Sequence, residues 1–340
     1  MRRILSFFLV FLLATAAVET DAVAVARSAV EAWLKRAGQP PEPTALLEKD
    51  PKAALKALKR MMAFPPPPKG LEVNLDEPRV EKRGAEVWVR FPAALGESTG
   101  EVVVRVKDGE AVGILWRPAG GMLPGWLRSP WSGPVFALLA LAFLLSVFRG
   151  RLRRAFLEAV LEVRRRRGLF FLTQALLFFA FFLGAVAAYS SPELARMVQE
   201  YVGLGLLQIG LEDAARYGPL GLAAVIFYWN FTHGLFLTTF LPALLFGVPA
   251  VLLNFFRYLV LGVALSPALI PWDRFLLHLP VILLELGAYN TVAFGGLALL
   301  AEVAAGRGFH SGVRVLLKTF FLGTVLLLLA AFYEAFEVML

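Results

Sequence analysis

Residues 149–189 read RGRLRRAFLEAVLEVRRRRGLFFLTQALLFFAFFLGAVAAY. The two halves have opposite character. Segment 149–168 carries eight Arg against two Glu, whereas Leu169 to Tyr189 carries no charge at all. About 20 apolar residues are needed to cross a hydrocarbon core of about 30 Å. Lys and Arg collect in the cytoplasmic loops beside such helices. The boundary therefore reads as a cytoplasmic loop feeding a membrane span, and the chain as a polytopic membrane protein.

The composition agrees. The 340 residues are 58% hydrophobic and 18% charged, with a mean hydropathy of +0.68. A soluble domain is about 45–50% apolar and about 25% charged. With 29 Phe and no Gly-X-Y period, disorder and collagen-like order are excluded. The chain has no cysteine. Disulfide frameworks, thiolate metal sites, iron–sulfur clusters and cysteine nucleophiles go with it. The net charge of +8 is densest in 149–168, which fits membrane topology and not a nucleic-acid face.

Working outward, six spans are expected: Val135 to Phe148, Leu169 to Tyr189, Leu220 to Phe246, Val248 to Leu265, Leu276 to Ala301 and Val315 to Val338. Gly247 and Pro249 break the third from the fourth. Segment 305–318 has Arg307, Arg314 and Lys318 with no acid, so it joins 149–168 inside. Segment 190–218 is acid-rich and faces outward, as do Glu334 and Glu337. Within 149–168, Leu152, Phe156, Val160 and Val163 share one helical face. Arg149, Arg151, Arg153, Arg154, Arg164, Arg165, Arg166 and Arg167 become candidates for contact with anionic lipid of the inner leaflet or with a protein partner. Simple positive-inside topology is the alternative account of the same arginines. In 190–218, Leu194, Val198, Val202, Leu206 and Leu207 suggest a helix at the outer surface.

The N-terminus has the parts of a secretory signal peptide over 1–17: Arg2 and Arg3, the apolar run Ile4 to Leu13, and Ala14-Thr15-Ala16. An uncleaved anchor is the alternative, and either way the next segment faces outward. Residues 18–117 then read as an extracytoplasmic α+β domain. Ala22 to Ala37 and Thr44 to Phe64 have helical spacing, and Pro65 to Pro68 is a polyproline spacer. Leu71 to Leu75, Glu86 to Phe91, Glu101 to Val106 and Ala111 to Arg117 alternate as strands, with a hairpin turn at Asp108-Gly109. Helices followed by a meander ending VVVRVKDGEAVGILWRP resemble the nuclear transport factor two-like superfamily in element order. Segment 118–134 is a Gly/Pro/Trp linker to a helical membrane domain over 135–340.

No phosphate loop or H-E-x-x-H is present, and His233, His278 and His310 lack ligand spacing. No catalytic residue, metal or cofactor is expected. What remains is an intramembrane polar set: Asn230, His233, Asn254, Arg257, Tyr258, His278, Glu285, Tyr289 and Asn290. Arg257 and Glu285 lie about 12 and 13 Å from the outer ends of their spans, at about 1.5 Å per residue. An ion pair between them is geometrically available. It could fix helix register, line a solute path, or, with His278, move protons.

The stretch Asn230 to Leu300 resembles the stage II sporulation protein M family. The likeness rests on Asn230, on LLFGVPAVLLN ending at Asn254, on Gly262, and on LPVILLELGAYNTVAFGGLAL around Glu285. Val281 stands where the family has a His, Gly287 where it has a Pro, and Phe255 follows Asn254 where it has a Gly. The resemblance carries over Asn230, Asn254 and Glu285, and loosely covers 168–340. It implies a membrane scaffold, since the sporulation member holds peptidoglycan-degrading partners. The reading is a non-enzymatic scaffold of the bacterial inner membrane with envelope-protein partners; the alternative is a transporter or channel subunit using the Asn/Arg/Glu cluster.

Overall fold

A computed structural model describes residues 21–37, 53, 63–119 and 121–339. The signal-peptide stretch and most of Thr44 to Phe64 lie outside the described residues. The chain divides into two units, 1–122 with 204–210 and 123–203 with 211–340.

In the first unit, helix α1 covers 21–34. Five antiparallel strands follow: β1 (Leu71–Val73), β2 (Arg79–Arg83), β3 (Glu86–Leu95), β4 (Ser98–Lys107) and β5 (Glu110–Pro118). The order is β1-β3-β4-β5, with β2 also paired to β3. Asp108 and Gly109 both take positive φ, 50° and 78°, as a two-residue hairpin turn of the primed type requires. Strand alternation sends Val89, Phe91, Ala93, Val102, Val104 and Val106 to one face, where Ala22, Ala26, Val30 and Trp33 of α1 cover them. β2 had no apolar alternation to announce it. Its side chains are satisfied instead by ion pairs such as Glu81–Arg90 and by Arg83 stacking 4.2 Å over Trp88.

The second unit is helical: α2 (Ser132–Phe148), α3 (Arg153–Arg165), α4 (Arg167–Ser190), α5 (Pro192–Ile209, whose last turns belong to the first unit), α6 (Leu211–Ala215), α7 (Gly218–Ala243), α8 (Val248–Ala264), α9 (Trp272–Ala304) and α10 (Phe309–Val338). Among the described residues four helices are long and apolar enough to cross a membrane, namely α4, α7, α9 and α10. The pair α2–α3, bent by 68°, makes a fifth if counted as one span. Two of the six expected spans, α2 and α8, have 17 residues each, about 26 Å at ~1.5 Å per residue. Each falls short of the ~30 Å core.

Gly247 ends the α7–α8 turn at φ 77°. A Cβ there would lie 2.3 Å from Leu297 N, so the turn packs backbone against α9. Pro249 sits in the first turn of α8, as its missing N–H allows. Helices α4 and α8 cross on small residues. A Cβ on Gly184 would lie 2.1 Å from Leu259 O, and one on Gly262 2.0 Å from Phe181 O. Small residues let membrane helices approach this closely.

Candidate functional site

The polar set is built on α7, α8 and α9. Residues Asn230–Phe240 of α7 wind as a π-helix. This wider turn is rare and frequent at functional sites. It frees backbone carbonyls, and threonines take them up. Thr232 Oγ1 donates to Tyr228 O (2.6 Å) and Thr239 Oγ1 to Gly234 O (2.8 Å). Thr238 Oγ1 lies 2.7 Å from His233 O and 2.9 Å from Gly234 O. Gly234 also leaves room for Tyr289, whose hydroxyl would lie 2.5 Å from a Cβ at that position.

Tyr289 joins the two charges of the cluster. Its hydroxyl donates to Glu285 Oε1 at 2.8 Å, and its ring lies 5.0 Å beneath the Arg257 guanidinium. Such cation–π contact is worth about 0.5–2 kcal/mol. Arg257 donates to Thr238 Oγ1 and, at 3.3 Å, to Asn254 Oδ1. Among the described residues no direct Arg257–Glu285 ion pair forms. Both residues meet Tyr289 instead: its ring takes the cation and its phenol takes the carboxylate.

A second chain runs beside the first. Tyr258 Oη lies 2.8 Å from both Leu286 O and Asn290 Oδ1, and its single proton serves one of them. Asn290 Nδ2 donates to Gln174 Oε1 of α4 at 2.7 Å. Asn254, fully buried, donates to Ala250 O and Thr239 Oγ1.

The other three residues stand apart. His278 Nδ1 pairs with Glu337 of α10 at 2.9 Å. His233 stacks on Trp229 with centroids 3.8 Å apart. Asn230 opens the π-helix and makes no side-chain hydrogen bond among the described residues. Thr238, Thr239, Gln174 and Glu334 join the region without having been expected. Thr and Gln are unremarkable in a span, and Glu334 was assigned to the outer end. One Glu334 carboxylate oxygen, Oε2, is buried with no hydrogen-bond partner among the described residues. No group of three His, Asp or Glu among them could hold a metal ion.

A second polar site lies where α3 meets the end of α9 and the start of α10. Glu302 is 2% exposed and accepts from Arg166 Nη2 (2.5 Å), Arg307 Nε (2.8 Å) and Nη2 (2.9 Å), and Ser311 Oγ (2.8 Å). Glu162 accepts from Arg166 and from Lys318 Nζ at 3.1 Å. Burial works to raise the Glu162 carboxyl. The hydrogen bonds and charges of Arg166 and Lys318 outweigh it and hold the carboxyl below its ordinary range. Arg166 is thus an internal bridge and not a surface contact. Arg149, Arg151, Arg153, Arg154, Arg164, Arg165 and Arg167 remain exposed, as do Leu157, Val160 and Leu161. The face of α3 turned inward is Ala159 and Glu162, with Val163 packed against Phe294, Ala298 and Val315. The expected apolar face is therefore split, with Val160 outward and Val163 inward.

Residues 173–337 match the family described as SpoIIM: Stage II sporulation protein M. That region belongs to the stage II sporulation protein M family. No curated protein and no solved structure matches the chain significantly. The stage II sporulation protein M region takes in the whole polar cluster and begins after α3. The ion network thus ties a helix outside the family region to Glu302 and Lys318 inside it. This match and the apolar helices mark a membrane protein.

Proposed function

We propose that the chain is a non-enzymatic scaffold of the bacterial inner membrane that engages envelope proteins and anionic lipid through α3. The observation that carries this reading is the way α3 is held. It turns 68° away from α2, and Glu162 and Arg166 pin it to α9 and α10. Its exposed arginines and leucines are thereby presented on a fixed helix and not on a mobile loop. Basic amphipathic helices of this kind lie in the headgroup layer and favour anionic leaflets. In this reading 149–168 and 305–318 are cytoplasmic, α2 and α8 complete six spans, and the N-terminal domain is exported behind its signal peptide. The stage II sporulation protein M membership supports it, because the sporulation member is a scaffold.

Photo-crosslinking residues placed at Leu157, Leu161 and Arg164 test the proposal in native membranes. The expected result is one envelope protein recovered from all three positions, with yield falling at least tenfold when Arg153, Arg154, Arg164 and Arg167 become Gln. Adducts to lipid or to the chain itself alone would sink the scaffold role.

A second reading, a solute or ion path through the cluster, draws on the unpartnered Glu334 oxygen beside Glu285 and Glu337. Intramembrane carboxylates often mark such paths. Arg257→Gln combined with Glu285→Gln separates the two. As register-fixing contacts the pair is expected to be dispensable, leaving crosslinking at α3 intact. As a path its loss would abolish flux into proteoliposomes.

A further inference from the structure

The first unit contains a cavity of about 240 Å³ that the membrane scaffold does not use. Its walls are Ala29, Ala32 and Trp33 of α1, Phe64, and Ile114 of β5, with Arg36 beside them. Positions 29, 32, 33 and 36 are spaced as one face of a helix. Two alanines on that face leave the space, since a longer side chain at either would fill it. The space is a half-open cleft with room for about eight waters, at ~30 Å³ each.

The described wall residues other than Arg36 are apolar in type, and the aromatic ones are held in place. Trp33 is 3% exposed, and its indole N–H donates to Pro65 O at 2.5 Å. The one polar group of the indole is therefore used, and only its ring faces the cavity. Phe64 leads directly into Pro65–Pro68, whose rings restrict the backbone that carries it. Arg36 is the one charged wall residue, is exposed, and makes no ion pair or side-chain hydrogen bond among the described residues. A guanidinium presents a planar fork that matches a carboxylate in two hydrogen bonds.

We propose that this cavity binds a small organic acid: an apolar, preferably aromatic body of about ten heavy atoms against Trp33 and Phe64, with its carboxylate on Arg36. The size follows from the volume, which is below the ~300–1,000 Å³ of sites for drug-sized ligands. The sign follows from Arg36. The aromatic walls alone would equally attract an amine, but none of the described wall residues is acidic and the guanidinium repels one.

Titration calorimetry on the full chain in lipid nanodiscs, with empty nanodiscs subtracted, tests this with three probes of one shape: phenylacetate, phenethylamine and 2-phenylethanol. Phenylacetate is expected to bind saturably, and phenethylamine at least tenfold more weakly. Arg36→Gln is expected to weaken phenylacetate at least tenfold while leaving 2-phenylethanol unchanged. Ala32→Leu, which fills the space, is expected to remove both. Arg36 and Ala32 are exposed, so the fold tolerates both changes, and unaltered near-UV circular dichroism checks this. The proposal is overturned if the amine binds as well as the acid, or if either substitution leaves phenylacetate binding intact. It also fails if the unsubstituted chain shows no saturable heat up to ~10 mM, where affinity falls below about 3 kcal/mol.

Discussion

Glu302→Ala is expected to cost the folded chain about 3–5 kcal/mol, the usual loss when one member of a buried ion pair is removed. Glu302 is 2% exposed and holds three donors from separate segments: Arg166 ahead of α4, Arg307 between α9 and α10, and Ser311 of α10. Without it, Arg166 keeps Glu162 alone. The Arg166 charge would then lie partly buried and half compensated. The loss is therefore expected to show in two readouts. The melting temperature of the chain in detergent falls, and the yield of a short bis-maleimide link between cysteines placed at Val163 and Val315 falls with it as α3 lets go. The chain has no native cysteine to interfere. Arg154→Ala is the control. Arg154 is 91% exposed and its Glu158 partner 40%, and such surface pairs are worth about 0–1 kcal/mol. Equal effects of the two substitutions would show that the network does not hold α3. Acid gives an independent check with a fixed sign. The Glu162 carboxyl is held below its ordinary value, so its contribution is complete above about pH 4.5, the range of an unfolded Glu, and is lost as pH falls through the lower folded value.

The long apolar runs were legible because length and lack of charge suffice to define them. Leu169 to Tyr189 became Arg167–Ser190, and Gly247 and Pro249 broke the chain where their backbone chemistry demands. The β4–β5 turn was legible for the same local reason, since Asp-Gly tolerates two positive φ angles. What could not be read depends on partners distant in sequence. Arg166 lies 136 residues from Glu302, so a run of four arginines looked uniform when one of them is internal. A clue was available: Glu302 is an acid at the end of a span that otherwise leads into a basic segment, and such an acid needs a reason. The π-helix has no sequence signature, because its wide turns are sustained by threonine hydroxyls and by Tyr289 pressing against Gly234. For Arg257 and Glu285, helix rise suggested a direct ion pair. It could not show that a tyrosine four residues after the glutamate would take both charges.

Gly262→Ala is expected to destabilise the membrane unit by about 3 kcal/mol, at or beyond the upper end of the ~1–3 kcal/mol usual for overpacking. The added methyl would lie 2.0 Å from Phe181 O and 3.0 Å from Ala185 N. Both are backbone atoms of a helix, so no side chain can turn away and α4 and α8 must separate by more than about 1 Å to reach ordinary contact. That movement strains Ser266 Oγ to Ala185 O at 3.0 Å across the same interface, and, as Gln174 shifts with α4, Asn290 Nδ2 to Gln174 Oε1 at 2.7 Å between α9 and α4. The second bond leads onward through Asn290 to Tyr258. A methyl group at a helix crossing therefore reaches the polar cluster without touching a polar residue. Gly184→Ala, which meets Leu259 O at 2.1 Å from the opposite helix, is expected to act alike. Because both force the same separation, the double variant is expected to lose less than the sum of the singles. Gly287→Ala provides the contrast. It lies in the middle of α9 with open space at its Cβ, and alanine there is expected to be neutral or stabilising by up to ~1 kcal/mol through helix propensity. Melting temperatures of the four variants in one detergent decide the matter. If Gly262→Ala melts with Gly287→Ala, the two helices have slack at their crossing, and the polar cluster is not held in place from that side.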